Sequence, residues 1–296
     1  MPKSIAWKIT ENCNSRCRTC SHWRTHVDDE LTFKECKTVI NKCFENGINS
    51  FRLTGGDPSL RKDLPEIIEY IHGKHGFVSV NSNLINIENI PLEIENLFVP
   101  LDGTRGTYRE LRGVDAFNKV CENLTYFTEH SEANIVVTVI LMKQTINDLP
   151  NIIELCRNLK VKLHFNLIDS NPYFFRGAEP FIKESSVTDF TIKLLRLYDS
   201  QVFFVSKETL TKIPFFYDCV KEAEMTCPIV LRNVKMGSRG DVYPGCWSAE
   251  PVGNVRKKSL TEILRSESYV ETVQRLFKHE CSGCTCGWVQ RVKAVT

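Results

Sequence analysis

Ile135-Val136-Val137-Thr138-Val139-Ile140-Leu141 is apolar except for Thr138 and β-branched except for Leu141. A run this short and this continuous reads as a strand buried on both faces, as in a parallel sheet, because a half-exposed strand would alternate with polar residues. On either side lie longer amphipathic stretches, near 114–130 and 147–159, and in the second Leu149, Ile152, Ile153 and Cys156 share one helical face. Similar strand signals fall near 5–10, 48–54, 77–81 and 95–101 upstream and near 161–168 downstream, with helices near 32–46 and 62–73. Six strands separated by helices predict an α/β chain built as an open, partial (β/α)6 TIM-like barrel. A doubly wound sheet has the same periodicity and stays open as an alternative.

Composition narrows the functional classes. The 296 residues carry 38 basic and 36 acidic side chains, a net charge of +2 that offers no broad field for nucleic acid. The N-terminus has no sustained apolar run and no segment approaches a membrane span, so a cytoplasmic protein without membrane or nucleic-acid partners is expected. There are 13 cysteines, and they cluster: three within 13–20 and three within 281–286. A disulfide scaffold suits short secreted chains, whereas clustering in a regular α/β chain points to metal. Cys36, Cys43, Cys121 and Cys156 instead fall on amphipathic helices and read as small core residues.

Three parts are expected along the chain: a barrel domain over 1–198, a linker over 199–218, and a cysteine-bearing module over 219–296. Residues 169–182 read as a loop at the barrel mouth. A short strand is expected at 201–205, a hairpin at 239–246 and a single helix over 259–277.

Cys13, Cys17 and Cys20 follow the first strand and belong on a strand-to-helix loop. Three thiolates can hold three irons of a [4Fe–4S] cube and leave the fourth open to a ligand. Zinc accepts three cysteines as well, with His22 or water as a fourth ligand. The order and spacing Cys-x3-Cys-x2-Cys resembles the defining motif of the radical S-adenosylmethionine (SAM) superfamily, although Thr19 stands where that family commonly has an aromatic residue. The resemblance implies that the [4Fe–4S] cluster with SAM, once reduced by a one-electron donor such as a flavodoxin or ferredoxin, generates a 5′-deoxyadenosyl radical that abstracts hydrogen from a substrate C–H bond.

The same resemblance extends to Thr54-Gly55-Gly56-Asp57-Pro58, similar to the family's GGE-type motif, where exposed peptide groups at Gly55, Gly56 and Asp57 would meet the SAM amino group. Asn83 stands in a stretch similar to the ribose-facing segment, and Arg105, after Leu101-Asp102-Gly103-Thr104, would pair with a carboxylate or a substrate anion. His164 reads as an oriented strand histidine rather than a base.

The distal segment 227–286 resembles a SPASM or shortened twitch domain, with Cys227-Pro228, Gly240-Asp241-Val242-Tyr243-Pro244-Gly245-Cys246 and Cys281-x2-Cys284 carrying the likeness. It implies an auxiliary [4Fe–4S] cluster held by Cys227, Cys246, Cys281 and Cys284, with a structural zinc as the alternative. Cys219 and Cys286 are left over, as inert thiols, exchanged ligands or catalytic hydrogen donors to a substrate radical. The expected activity is oxidation or epimerisation of a small polar metabolite, sugar-like or aminocyclitol, because no N-terminal peptide-recognition domain precedes Cys13. Alternatives are an epimerase or cross-linking maturase of a ribosomally made peptide, an ordinary SAM methyltransferase, and a non-catalytic iron–sulfur electron-transfer protein.

Overall fold

The computed structural model describes residues 2–25, 27–167, 187–214, 226–278 and 280. Seven parallel strands form its centre: β1 (Ser4–Thr10), β2 (Ser50–Gly55), β3 (Phe77–Asn81), β4 (Asn96–Pro100), β5 (Asn134–Leu141), β6 (Lys162–Leu167) and β7 (Asn233–Met236). The helices are α1 (Phe33–Glu45), α2 (Leu64–His72), α3 (Arg105–Arg112), α4 (Phe117–His130), α5 (Lys143–Ile146), α6 (Leu149–Asn158), α7 (Val187–Arg196) and α8 (Lys207–Thr211). After them come α9 (Ile229–Arg232), the short strands β8 (Asp241–Tyr243) and β9 (Gly253–Asn254), α10 (Leu260–Arg265) and α11 (Glu267–Phe277).

All nine strands belong to one sheet, ordered β6-β5-β4-β3-β2-β1-β7-β8-β9. The first six run in chain order, as a partial barrel requires, which settles the ambiguity with a doubly wound sheet, whose order reverses at a switch point. Strand β7, unforeseen in the sequence, pairs in parallel with β1, Ala6 opposite Lys235 and Trp7 opposite Met236. The antiparallel pair β8–β9 then continues from β7. The C-terminal module is therefore stitched onto the first strand through backbone hydrogen bonds.

Alternation along the strands separates two faces. Ile5, Trp7, Ile9, Phe51, Leu53, Val78, Val80, Leu97, Val99, Val137 and Val139 point outward into one buried cluster with the helices. Cys36 and Cys43 on α1 and Cys156 on α6 lie in that cluster with no exposed surface, so the core reading of these thiols holds. The opposite, barrel-lining positions include Ala6, Lys8 and Thr10 on β1 and, through the register, Arg52, Ser79, Thr138, His164 and Lys235.

Boundaries differ from expectation at three places. The helix predicted over 259–277 is two helices, because Ser266 ends α10 and caps α11, its hydroxyl accepting from Tyr269 N–H. The strand predicted at 201–205 reduces to one bridge between Leu163 and Phe203. Helix α3 was missed: only eight residues long, it has little room for apolar periodicity.

Candidate active site

The cluster loop leaves β1 and is fastened to its neighbours through its backbone. Gly56 N–H donates to Thr10 O at 2.8 Å and Asp57 N–H donates to Asn12 O at 2.7 Å. A Cβ on Gly56 would collide with the Asn12 carbonyl, and one on Gly55 with that of Thr10, so this contact accepts glycine alone. On the far side, Arg16 N–H and Arg18 N–H donate to the carbonyls of Arg112 (2.9 Å) and Leu111 (2.8 Å). Those carbonyls end helix α3 and would otherwise lack partners. Gly113, at φ +68°, caps the helix where any side chain would meet Arg16 O.

Asp57 and Asn83 extend the same scaffold. The Asp57 carboxylate accepts from Ser59 N–H (3.1 Å), the hydroxyls of Ser59 (2.6 Å) and Ser82 (2.9 Å), and Asn83 N–H (2.6 Å). Burial raises its pKa and these donors oppose the rise. The Asn83 amide donates to Asn14 Oδ1 at 2.6 Å and Ser15 Oγ at 3.0 Å, both on the cluster loop. The Gly55-Gly56-Asp57 and Asn83 segments, expected to touch SAM, thus also hold the loop on which Cys13, Cys17 and Cys20 stand. Trp23 adds a further tie, its indole N–H donating to Cys17 O at 3.1 Å.

Arg105 is exposed on the first turn of α3. The buried arginine of that helix is Arg112, whose guanidinium meets Asp102 at 3.1 Å. Its Nε finds no hydrogen-bond partner among the described residues. Burial disfavours its charge, but the fields of Cys17 and Asp102 outweigh that and raise its pKa. In turn Arg112 opposes the rise that burial imposes on the thiols of Cys13 and Cys20, and on Cys17, pushed up to about 11. Arg112 shares a buried face of α3 with Tyr108 and Leu111, and with α3 itself unread nothing in the sequence marked it.

Three thiols on one loop, with Ser15 N–H donating to the Cys13 sulfur and an orphaned guanidinium N–H beside Cys17, suit a bound, negatively charged cluster. For a single zinc ion, no three candidate side chains converge among the described residues; the His22 ring, a possible fourth ligand, has Nδ1 3.2 Å from the Lys8 ammonium.

In the C-terminal module, Cys227 packs with Val230 and Leu276 in a small apolar nucleus that Cys246 also touches. Cys227 N–H donates to Phe277 O at 2.9 Å, so the end of α11 arrives beside Cys227 four residues before Cys281. Two expected ligands are thereby brought together. Cys281 and Cys284, like Cys219 and Cys286, lie outside the described residues.

Comparison with known proteins gives the architecture its place. The radical SAM superfamily matches residues 7–156, half of the chain. This chain belongs to that superfamily. The SPASM iron–sulfur cluster-binding domain matches residues 227–285. A primary and an auxiliary iron–sulfur cluster follow from these domains, and the chain is an enzyme acting on a C–H centre of its substrate. When loaded, the first cluster supplies the electron that cleaves SAM.

Among curated proteins, Fe-coproporphyrin III synthase of Methanosarcina barkeri is 28% identical over 88% of this chain and 72% of its own length. A probable GTP 3',8-cyclase of Saccharolobus islandicus is 28% identical over 55% of this chain, which spans only 56% of that relative. Among solved structures, SuiB of Streptococcus suis bound to precursor peptide SuiA aligns with a TM-score of 0.73 at 13% identity, covering 92% of this chain and 67% of that one. The enzyme anSMEcpe, with bound AdoMet and the Cp18Cys peptide, aligns with a TM-score of 0.69 at 16% identity, covering 99% and 95%. BtrN in complex with AdoMet and 2-DOIA aligns at 0.52 with 12% identity, covering 96% and 93%.

No helix among the described residues is long and apolar enough to cross a membrane.

Proposed function

We propose that this radical SAM enzyme modifies a C–H centre in a ribosomally made peptide, by epimerisation or cross-linking. The supporting observation is that the chain shares its fold, over nine-tenths of its length, with two enzymes whose structures hold peptides, at TM-scores of 0.73 and 0.69. A cleft of about 340 Å³ lies between the cluster loop, the end of β1 and the β7–β8 hairpin, lined by Lys8, Glu11, His22, Arg24, Ser238 and Tyr243.

In this reading the braced loop holds Cys13, Cys17 and Cys20 for the cluster and SAM, and a flavodoxin- or ferredoxin-like donor delivers one electron. Cys227, Cys246, Cys281 and Cys284 would hold the auxiliary cluster, which would supply an acceptor for the substrate radical's electron, with a base taking its proton, where the outcome is oxidative. Cys219 or Cys286 returns hydrogen where it is epimerisation. Oxidation or epimerisation of a small polar metabolite is the second reading, favoured by the cleft volume, which lies at the low end of the range for small-molecule pockets.

The test supplies the reconstituted, reduced full chain with SAM and either a synthetic heptapeptide library deuterated at Cα and Cβ or a deuterated small-metabolite extract. Deuterium appearing in 5′-deoxyadenosine with the library supports the peptide reading. Transfer from the extract alone sinks it in favour of the second.

A further inference from the structure

We infer that Lys8 and Lys235, resting together on the ring of Trp247, form a binding site for a carboxylate of the substrate. The peptide reading above enters only in naming an acidic peptide as the carrier of that carboxylate.

Lys8 on β1 and Lys235 on β7 occupy barrel-lining positions of adjacent strands, where Ala6 faces Lys235 across the ladder. Both are buried, at 6% and 7% exposure, and both ammonium groups lie over the same indole, 5.1 Å and 5.5 Å from its centre. Attraction to the ring face lowers the energy of each cation without cancelling its charge. On the Lys8 side Glu11 lies 3.6 Å from the ammonium and His22 Nδ1 3.2 Å from it. The side chain of Lys235 makes no hydrogen bond or ion pair among the described residues, and its ammonium lies over the Trp247 ring. An incoming anion would supply the counter-ion that the Lys235 ammonium lacks among the described residues.

The surroundings repeat this sign. The seven parallel strands contain the cations Lys8, Arg52, Lys162 and Lys235 and not one Asp or Glu. Low-dielectric walls lined by one sign of charge concentrate the opposite sign in the space between them. Lys8 also lines the cleft, where Arg24 and Arg239 join it and the carboxylates are Glu11 and Asp241. Burial lowers the pKa of Lys8 and repulsion from Lys235 lowers it further, against the opposing fields of Glu11 and Cys20; a carboxylate between the two lysines relieves that repulsion.

Position ties the site to the chemistry. Lys8 lies within the field of Cys20, on the cluster loop, while Trp247 follows Cys246 directly in the C-terminal module. A carboxylate held there anchors the substrate between the two iron–sulfur modules. Lysines act as point charges, so they fix the anion's place and leave the rest of the substrate free to extend along the cleft.

Calorimetry on the reconstituted full chain tests this with five probes: a blocked pentapeptide carrying two glutamates, its two-glutamine counterpart, the glutamine peptide with a free C-terminal carboxylate, glutarate, and inorganic phosphate. The glutamate peptide is expected to bind about tenfold or more tightly than the blocked glutamine peptide, with the gap narrowing at high salt. Lys235→Met is expected to close the gap at unchanged iron content, and Lys235→Arg to restore most of it. Tight binding of the free-terminus peptide assigns the carboxylate to a chain end instead of a side chain. Equal affinity for glutamate and glutamine peptides, a preference that survives Lys235→Met, or phosphate bound more tightly than any carboxylate overturns the inference. Glutarate binding that depends on Lys235, with every peptide weak, leaves the carboxylate site standing and removes the peptide reading. Should Lys235→Met lose iron, Trp247→Phe, which keeps both lysines but weakens the ring face, reports the same preference as a partial loss.

Discussion

The loop bearing Cys13, Cys17 and Cys20 is fastened by the chain itself, through Gly56, Asp57, Asn83 and the last carbonyls of α3. The segment bearing Cys227 and Cys246 rests on a small nucleus in which, among the described residues, Cys227, Val230 and Leu276 are buried. Both regions are read as iron–sulfur sites, yet their order has different sources. The first is set in advance by backbone hydrogen bonds into a large core, so its cluster is needed for chemistry more than for folding. The rest of the module joins the main core through β7, β8, α10 and α11, but around Cys227 and Cys246 the described apolar nucleus is small, so a bound cluster is expected to contribute folding free energy there.

Exchanging ligands at the two sites is the strongest way to break that contrast. Cys17→Ala is expected to abolish SAM cleavage, retain about four irons in the auxiliary site, and leave the melting temperature nearly unchanged. Cys246→Ala is expected to retain the first cluster while lowering the melting temperature by about 5 °C or more, a loss of at least ~1–2 kcal/mol. Iron analysis, 5′-deoxyadenosine release and anaerobic calorimetric scans read all three quantities. Equal thermal losses from the two variants would remove the distinction. Gly56→Ala comes next. Its methyl group must displace the Asn12 carbonyl, so the expected result is a folded chain with its first site mostly empty and its auxiliary site loaded, at a cost of about 1–3 kcal/mol.

The sequence carried the barrel because its strands are short apolar runs between helices of clear 3.6-residue period, and because chain order and sheet order coincide from β1 to β6. It did not carry β7: Asn233-Val234-Lys235-Met236 is four residues long and polar on one face, and pairs with a strand more than two hundred residues away. Such non-local pairing leaves no periodic trace. The cysteine loop was legible from spacing, whereas its bracing was not, since backbone donors carry no residue signature. Asp57 and Asn83 were read as facing SAM, and their side chains meet the cluster loop and its supports, a role that needs the third dimension to see. Arg105 drew attention by standing next to a recognised strand end, while Arg112, seven residues on, is the arginine beside the thiols.

Arg112 sharpens the contrast from within the first site. Its positive charge and orphaned Nε–H beside Cys17 and Cys13 would stabilise the more negative, reduced state of a cluster ligated there. Arg112→Lys keeps a cation near Asp102 but loses the guanidinium fork. The expected outcome is full iron content with the first cluster's midpoint potential lowered by tens of millivolts and the auxiliary potential unmoved, read by redox titration with electron paramagnetic resonance. An unchanged first potential at full loading would reduce Arg112 to a packing partner of Asp102.

His164 tests the barrel wall apart from both clusters. It sits on β6 with Nδ1 buried and without a hydrogen-bond partner among the described residues, against the edge of Phe204 at 5.5 Å. Burial first and the nearby Arg52 second lower its pKa to about 4, so the folded chain keeps this ring neutral. An unfolded chain takes up that proton near pH 6.5. Between pH 6.5 and 4 the unfolded state therefore binds more protons, and stability falls as the solution is acidified through that window, then stops changing on this account below it. Allowing for partial exposure, the loss is about 1–2 kcal/mol. His164→Phe is expected to flatten that limb of the stability profile while leaving both cluster contents as they are. An acid limb of the same slope in the variant would move its origin to other groups, and a loss of either cluster would show that the wall and the iron sites are coupled.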